Sequence, residues 1–136
     1  MIEQSEIVLP ARGRGFHLVT SFLEDQMPSL PDKGFVNLFL RHTSAALIIN
    51  ENADPTVRMD FESFISKLIP ENDPVYKHTT EGPDDMPAHL KSSLFGQSVS
   101  IPVKGGRLNM GIWQGIYLCE FRNRSQRRKV TVTVFS

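Results

Sequence analysis

Lys129 to Phe135 sets Val130, Val132 and Val134 against Thr131, Thr133 and Phe135. Strict two-residue alternation is the period of an extended strand with one face on a core and the other in water. The run therefore needs a sheet to join, and other runs can supply it. Phe35 to Leu40 and Ala45 to Asn52 read as apolar strands, and Gln97 to Val103 alternates. Gln114 to Arg122 carries Ile116, Leu118 and Glu120 on one face and Tyr117, Cys119 and Phe121 on the other. Glu6 to Ala11, Phe16 to Val19 and Leu108 to Gly111 read as further extended pieces. The polar triplet His42-Thr43-Ser44 lies between two apolar runs and reads as a tight connection in a hairpin or a bulge.

Helical signals are fewer. Thr20 or Ser21 can cap a short helix through about Met27, stopped by Pro28 and Pro31. Asp54-Pro55 has the order of an N-cap followed by a first-turn proline. Val57, Phe61, Phe64, Ile65 and Leu68 follow at helical spacing. Asp84 or Asp85 can cap another helix, with Leu90, Leu94 and Phe95 as its apolar face and Gly96 at its close. Many strands with two or three short helices predict the α+β class, with an antiparallel β-sandwich-like core. A length of 136 residues, with no repeat and no low-complexity tract, suits a single domain over 1–136.

Charge and cysteine content narrow the function. Fifteen basic and fifteen acidic residues give a formal net charge of zero, which argues against a nucleic-acid partner. Arg122, Arg124, Arg127, Arg128 and Lys129 form a locally basic run that reads as a solvated strand edge or as a site for phosphate groups. No signal-peptide pattern and no bilayer-spanning apolar run occur, so no membrane partner and a cytoplasmic location are expected. The lone Cys119 excludes an internal disulfide and a cysteine-rich zinc site, and it reads as a small packed apolar residue. Lys104-Gly105-Gly106-Arg107 lacks the strand–loop–helix setting of a phosphate-binding loop.

The chemistry-bearing residues are histidines. His42 falls at a strand end, His78 in a loop and His89 inside a short helix, which are places where a rigid scaffold presents functional groups. Gathered together, the three rings with a water would make an open site for a divalent metal such as zinc or magnesium. Such an ion could polarise a phosphate oxygen or activate water. Glu81, three residues after His78, is an acid–base candidate. The competing reading is three separately satisfied polar side chains. Asn50, Glu51 and Asn52 read either as a turn with capping groups or as recognition of a ligand heterocycle. Glu120 needs a partner if buried, and Arg122 on the same face could supply it. Trp113, beside Gln114 in a glycine-flanked segment, could stack on a flat ring or pack in the core.

Several of these segments occur together in one known family. His42-Thr43-Ser44-Ala45-Ala46, Asn50-Glu51-Asn52-Ala53-Asp54-Pro55, His78 with Glu81-Gly82-Pro83-Asp84, Met86-Pro87-Ala88-His89-Leu90-Lys91-Ser92-Ser93, and Gly111 through Phe121 resemble the YjbQ-like family, also labelled secondary thiamine-phosphate synthase. The resemblance runs from about Ile7 to Phe135. It departs at Ile112, where the family often has threonine, and at Asp85, where it often has asparagine. It implies a β-rich α+β homotrimer with a pocket gathering His42, His78 and His89, able to hold a metal or an anion. It also implies transfer of a pyrimidine pyrophosphate onto a thiazole phosphate, which makes a small phosphorylated molecule the substrate. In that reading His78, Glu81, His89 and Glu120 are catalytic, while Thr43, Ser44, Asn50, Glu51, Trp113 and Gln114 contact substrate. The residues by themselves slightly favour a metal-dependent hydrolase of a phosphorylated or ester substrate, with a non-catalytic module for an anionic ligand as the further alternative.

Overall fold

A computed structural model describes residues 1–136. The chain runs β1 (Ile2–Arg12), β2 (Gly15–Leu18), α1 (Thr20–Gln26), β3 (Lys33–Leu40), β4 (Ala45–Glu51), α2 (Pro55–Leu68), α3 (Asp85–Phe95), β5 (Ser98–Lys104), β6 (Arg107–Leu108), β7 (Gln114–Glu120) and β8 (Gln126–Phe135). All strand pairs are antiparallel, and the class is α+β as expected. One sheet has the order β1-β8-β3-β5-β6, and a smaller one has β2-β7-β4. No helix is long and apolar enough to cross a membrane.

The alternation in β8 does what its period requires. Val130, Val132 and Val134 enter the core that the two sheets share, with Ile7, Leu9, Val36, Leu38 and Leu40 from the same sheet and Leu47, Ile116 and Leu118 from the smaller one. A second core lies on the other face of the small sheet. There Phe16, Ala46, Tyr117, Cys119 and Phe121 pack against Ile65 of α2 and Ala88 of α3. The small sheet is thus buried on both faces, and residues 115–120 of β7 are all buried. Alternation of polarity fails there because neither face meets water.

Several local expectations are corrected. His42-Thr43-Ser44 is no hairpin: β3 pairs with β5 and β8, whereas β4 pairs with β7, so the triplet carries the chain from one sheet to the other. Thr20 does not cap α1; its hydroxyl accepts the Ile116 backbone N–H at 2.8 Å and ties the helix to β7. Phe64 and Leu68 of α2 are 66% and 57% exposed, so that helix seats mainly through Ile65. Asp54 does cap α2, accepting the Thr56 N–H at 2.9 Å. The face of α3 is only partly as expected: Phe95 packs against the second core, but the two leucines do not. Leu90 and Leu94 are exposed, while Asp85, Ala88, Lys91 and Ser92 point inward. Each inward polar group has a reason to be there. The Ser92 hydroxyl donates to the Ala45 carbonyl at 2.7 Å, Lys91 places its ammonium 5.7 Å from the centre of the Phe121 ring, and Asp85 is paired with Arg122.

The basic run after β7 is not simply a solvated edge. Arg128 is 1% exposed and forms a forked ion pair with Glu120, itself fully buried, with Nε donating to Oε1 at 2.8 Å. Arg128 also donates to the Ser44 hydroxyl and carbonyl, at 3.1 and 3.3 Å. The expected Glu120–Arg122 pair is therefore replaced by Glu120–Arg128, and only the backbone N–H of Arg122 reaches Glu120. A buried guanidinium left without its carboxylate costs about 3–5 kcal/mol, whereas an apolar replacement of both partners is often neutral. Glu120→Ala should lower the urea-unfolding free energy by that amount, and Glu120→Leu combined with Arg128→Met should recover most of it.

Candidate metal centre

The loop after α2 and the first two turns of α3 bring two of the three flagged histidines together around an aspartate. Asp85 and His89 are four residues apart on α3, so both side chains leave the same face of the helix. His78 comes in from the preceding loop. Its Nε2 lies 2.6 Å from Asp85 Oδ2, and His89 Nε2 lies 3.2 Å from the same oxygen. The two rings meet edge to face, 5.5 Å between centres. Three potential ligand atoms thus stand within 4.8 Å of one another. The Asp85 carboxylate is 2% exposed, while the His78 and His89 side chains are 42% and 35% exposed, so the group is anchored inside and open outside.

Arg122 builds the floor. Its guanidinium binds Asp84 Oδ2 at 2.8 Å through Nε, Asp85 Oδ1 through Nη1, and the Glu81 carbonyl at 3.0 Å through Nη2. Neither aspartate caps α3 with its side chain, because both are turned toward this arginine. Burial by itself would raise both carboxyls. For Asp85 the His78 hydrogen bond and the Arg122 charge outweigh it; for Asp84 the Asn123 N–H and Arg122 do so. Both are held below the usual carboxylate range, so Asp85 stays ionised.

The donor chemistry of this group fits a cation. His89 Nδ1 lies 3.0 Å from the Thr43 carbonyl oxygen. A carbonyl only accepts, so Nδ1 carries the hydrogen and a neutral ring has its lone pair on Nε2, the atom facing Asp85. A lone pair 3.2 Å from a carboxylate oxygen is relieved either by a proton on Nε2 or by a metal ion held between the two atoms. A histidine whose other nitrogen is fixed by a carbonyl is the usual arrangement for a metal ligand.

His42 is not part of the group. Its Nε2 accepts the Lys129 backbone N–H at 2.8 Å, so the neutral ring bears its hydrogen on Nδ1 and has no lone pair left for a metal. Burial, then the charge of Arg128, lowers its pKa. The expected His42–His78–His89 set is thereby corrected to His78–Asp85–His89. The Asp85–His89 spacing was the available signal, but a single such pair on a helix is common.

Other expected site residues fall elsewhere. Glu120 is enclosed by Arg128 and the Arg122 N–H and cannot touch a substrate, which corrects its catalytic assignment. The Ser44 hydroxyl serves Arg128. Glu81 remains at the rim, 62% exposed, with Oε2 3.8 Å from His78 Nε2. Asn50 Oδ1 accepts the Glu51 N–H, and the Glu51 carboxylate accepts the Asp54 N–H, so these are turn and capping groups. The recess beside them holds about 10 Å³, enough for roughly one water and too small for a heterocycle. Trp113 is 62% exposed at the turn before β7, outside the core, and Gln114 Oε1 accepts the Gly111 N–H. In the β4–β7 pair Ala45 faces Glu120 and Glu51 faces Gln114. Six residue steps at ~3.3 Å put Gln114 roughly 20 Å along the sheet from the Glu120 end. Cys119 is buried, and burial pushes its thiol pKa far up, so it stays protonated and inert.

The shifted groups give a two-step acid profile in metal-free protein. A folded His42 with a lowered pKa stays neutral where the unfolded ring protonates, so stability falls as pH drops below 6.5. Asp84 and Asp85 stay ionised where unfolded carboxyls protonate, so a further loss sets in below 3.8. Melting temperatures recorded from pH 8 to 2 with a chelator present should show both steps. His42→Gln should remove the first and Arg122→Gln should shrink the second.

Known proteins share this sequence and fold. Residues 5–136 match the family model described as UPF0047 protein YjbQ-like. The UPF0047 protein YjbQ of Salmonella typhimurium is 47% identical over 133 residues, covering 96% of each chain. A UPF0047 protein of Synechocystis is 44% identical over 132 residues, covering 96% of this chain and 90% of that one. A crystal structure of a conserved hypothetical protein from Thermus thermophilus superposes with a TM-score of 0.82 at 35% identity, over 94% of this chain and 97% of its own. With the match spanning nearly every element and the segments around the histidines, the chain belongs to the YjbQ-like UPF0047 family.

Proposed function

We propose that this protein is a metal-dependent enzyme for a small molecule, with His78, Asp85 and His89 as the ligand set. The observation that carries this reading is the His89 hydrogen bond to the Thr43 carbonyl, which leaves the ring lone pair aimed at a buried carboxylate. Two imidazoles and one carboxylate suit zinc or a similar divalent ion and leave coordination positions open to solvent. Such an ion would supply Lewis-acid polarisation of a phosphoryl or carbonyl oxygen.

The chain's own residues set the rest of the chemistry. Arg122 keeps Asp85 charged and immobile, so the ligand set is pre-organised. Glu81, at the rim with its side chain 62% exposed, is placed to take a proton from an attacking water or hydroxyl group. A cleft of about 380 Å³ opens beside His78, lined among others by Asn72, Asp73, Tyr76, Thr79 and Met86. Its size suits a small metabolite. Hydrolysis of a phosphorylated or ester substrate is the reaction this arrangement favours. Joining a pyrimidine pyrophosphate to a thiazole phosphate would use the same ion against the leaving diphosphate, but its flat-ring group Trp113 stands at the far end of the β4–β7 pair.

Zinc titration followed by calorimetry should give one site per chain. His78→Ala, Asp85→Asn and His89→Ala should each weaken it about tenfold or more. A phosphatase and esterase panel, run beside the thiamine-precursor condensation, should show turnover that chelation removes and zinc restores. Metal binding unchanged in all three variants would end the proposal. The homotrimer belongs to the same reading, supported by Phe35 and Phe39 standing 42% and 48% exposed on the outer face of the large sheet. Light scattering should return a mass three times 15.4 kDa.

A further inference from the structure

We infer that the groove between the end of β3 and the end of α3 is an oxyanion site, which holds the phosphate-monoester end of the substrate while its reacting end meets His78, Asp85 and His89. The groove encloses about 420 Å³ and is lined by Arg41, His42, Thr43 and Ser93, with Phe39 and Gln97 at its sides. It is separate from the cleft beside His78, and the two share no lining residue.

The donors in it are unspent. His42 Nε2 already accepts the Lys129 N–H, so the neutral ring has an Nδ1–H, and that group has no partner in the chain. The hydroxyls of Thr43 and Ser93 have no protein partner, and both residues are exposed. Arg41 commits Nη1 to Glu6 at 2.7 Å and keeps its other N–H groups free. A phosphate monoester presents three acceptor oxygens and takes such a mixed set of hydroxyl, imidazole and guanidinium donors.

Charge selects the same ligand. The groups facing His42 are Arg128, Lys129 and Arg41 against a single carboxylate, Glu120. Arg128 is matched by Glu120 in the buried pair and Arg41 is shared with Glu6, so Lys129 leaves the surplus around the groove positive. The cleft beside His78 is the opposite: Asp73 lines it, and no lysine or arginine does. An anionic end therefore belongs in the groove.

Thr43 joins the two places. Its side chain lines the groove, while its carbonyl receives the His89 Nδ1–H at 3.0 Å. A substrate seated against Thr43 thus abuts the ring that serves the metal centre. Only this orientation of the substrate rests on the metal-centre reading; the oxyanion site stands on the groove itself.

The test is titration of the full chain with inorganic phosphate, followed by amide NMR at constant ionic strength with chelator present. Saturable shifts should centre on Arg41, His42, Thr43 and Ser93. Arg41→Gln, and Thr43→Val with Ser93→Ala, should each weaken phosphate binding at least about tenfold, the loss of one hydrogen bond to a charged group. Both sets are surface positions, and unchanged melting temperatures check the fold. His78→Ala should weaken zinc binding about tenfold or more and leave phosphate binding intact, so a failure of the metal reading is distinguishable from a failure of this one. Shifts that never saturate, that centre on the cleft beside His78, or that survive both groove variants overturn the inference.

Discussion

The buried ion pair between Glu120 and Arg128 holds the architecture together. Glu120 ends the central strand of the small sheet, and Arg128 lies near the start of a strand inside the large one. Their forked contact fastens the two sheets at one edge of the shared core. Arg128 also grips Ser44, in the segment that crosses between sheets. Charges of this kind persist in a core only when each is neutralised and its remaining hydrogen-bonding capacity is used, and here both conditions hold. The turn leading into Ser44 inherits its position from them: His42 is tied to the Lys129 backbone, and Thr43 offers its carbonyl to His89.

A second arginine does for α3 what Arg128 does for the sheets. Arg122 follows β7 directly and neutralises Asp84 and Asp85 at the start of the helix. Those carboxylates also sit at the positive end of the helix dipole, which favours their charge. Structural pairing and ligand presentation are therefore one arrangement. Asp85 gives one oxygen to Arg122 and turns the other toward two imidazoles. The geometry of the His78–Asp85–His89 group is held by elements that the core has already fixed, with only His78 supplied by a loop.

Much of the fold was legible in the sequence, and the reasons for the failures are physical. β8 and α2 announced themselves through period and capping because each has one wet face. α3 was misread because its inward face is polar: Asp85, Lys91 and Ser92 are buried with partners, while Leu90 and Leu94 are left outside. Hydrophobic periodicity cannot detect a face that is buried through ion pairs and hydrogen bonds. The same limit hid the centre. His78 and His89 were legible as a pair of candidates, but Asp85 looked like a capping group and His42 looked like a third ligand. Nothing along the chain says that the His42 lone pair is taken by the amide of Lys129, 87 residues away.

By itself the sequence determined the class of the fold, the strands with their faces, the cap of α2 and the pool of groups able to do chemistry. These follow from local rules of backbone period, side-chain volume and hydrogen-bonding capacity. Only the tertiary structure decided which partner each charged group took. Arg128 rather than Arg122 neutralises Glu120, Asp85 rather than His42 joins the two histidines, and Trp113 lies at the far end of the β4–β7 pair from them. Those choices depend on which ends of separate strands are brought side by side, and Coulomb attraction in a buried setting is set by that proximity and not by distance along the chain.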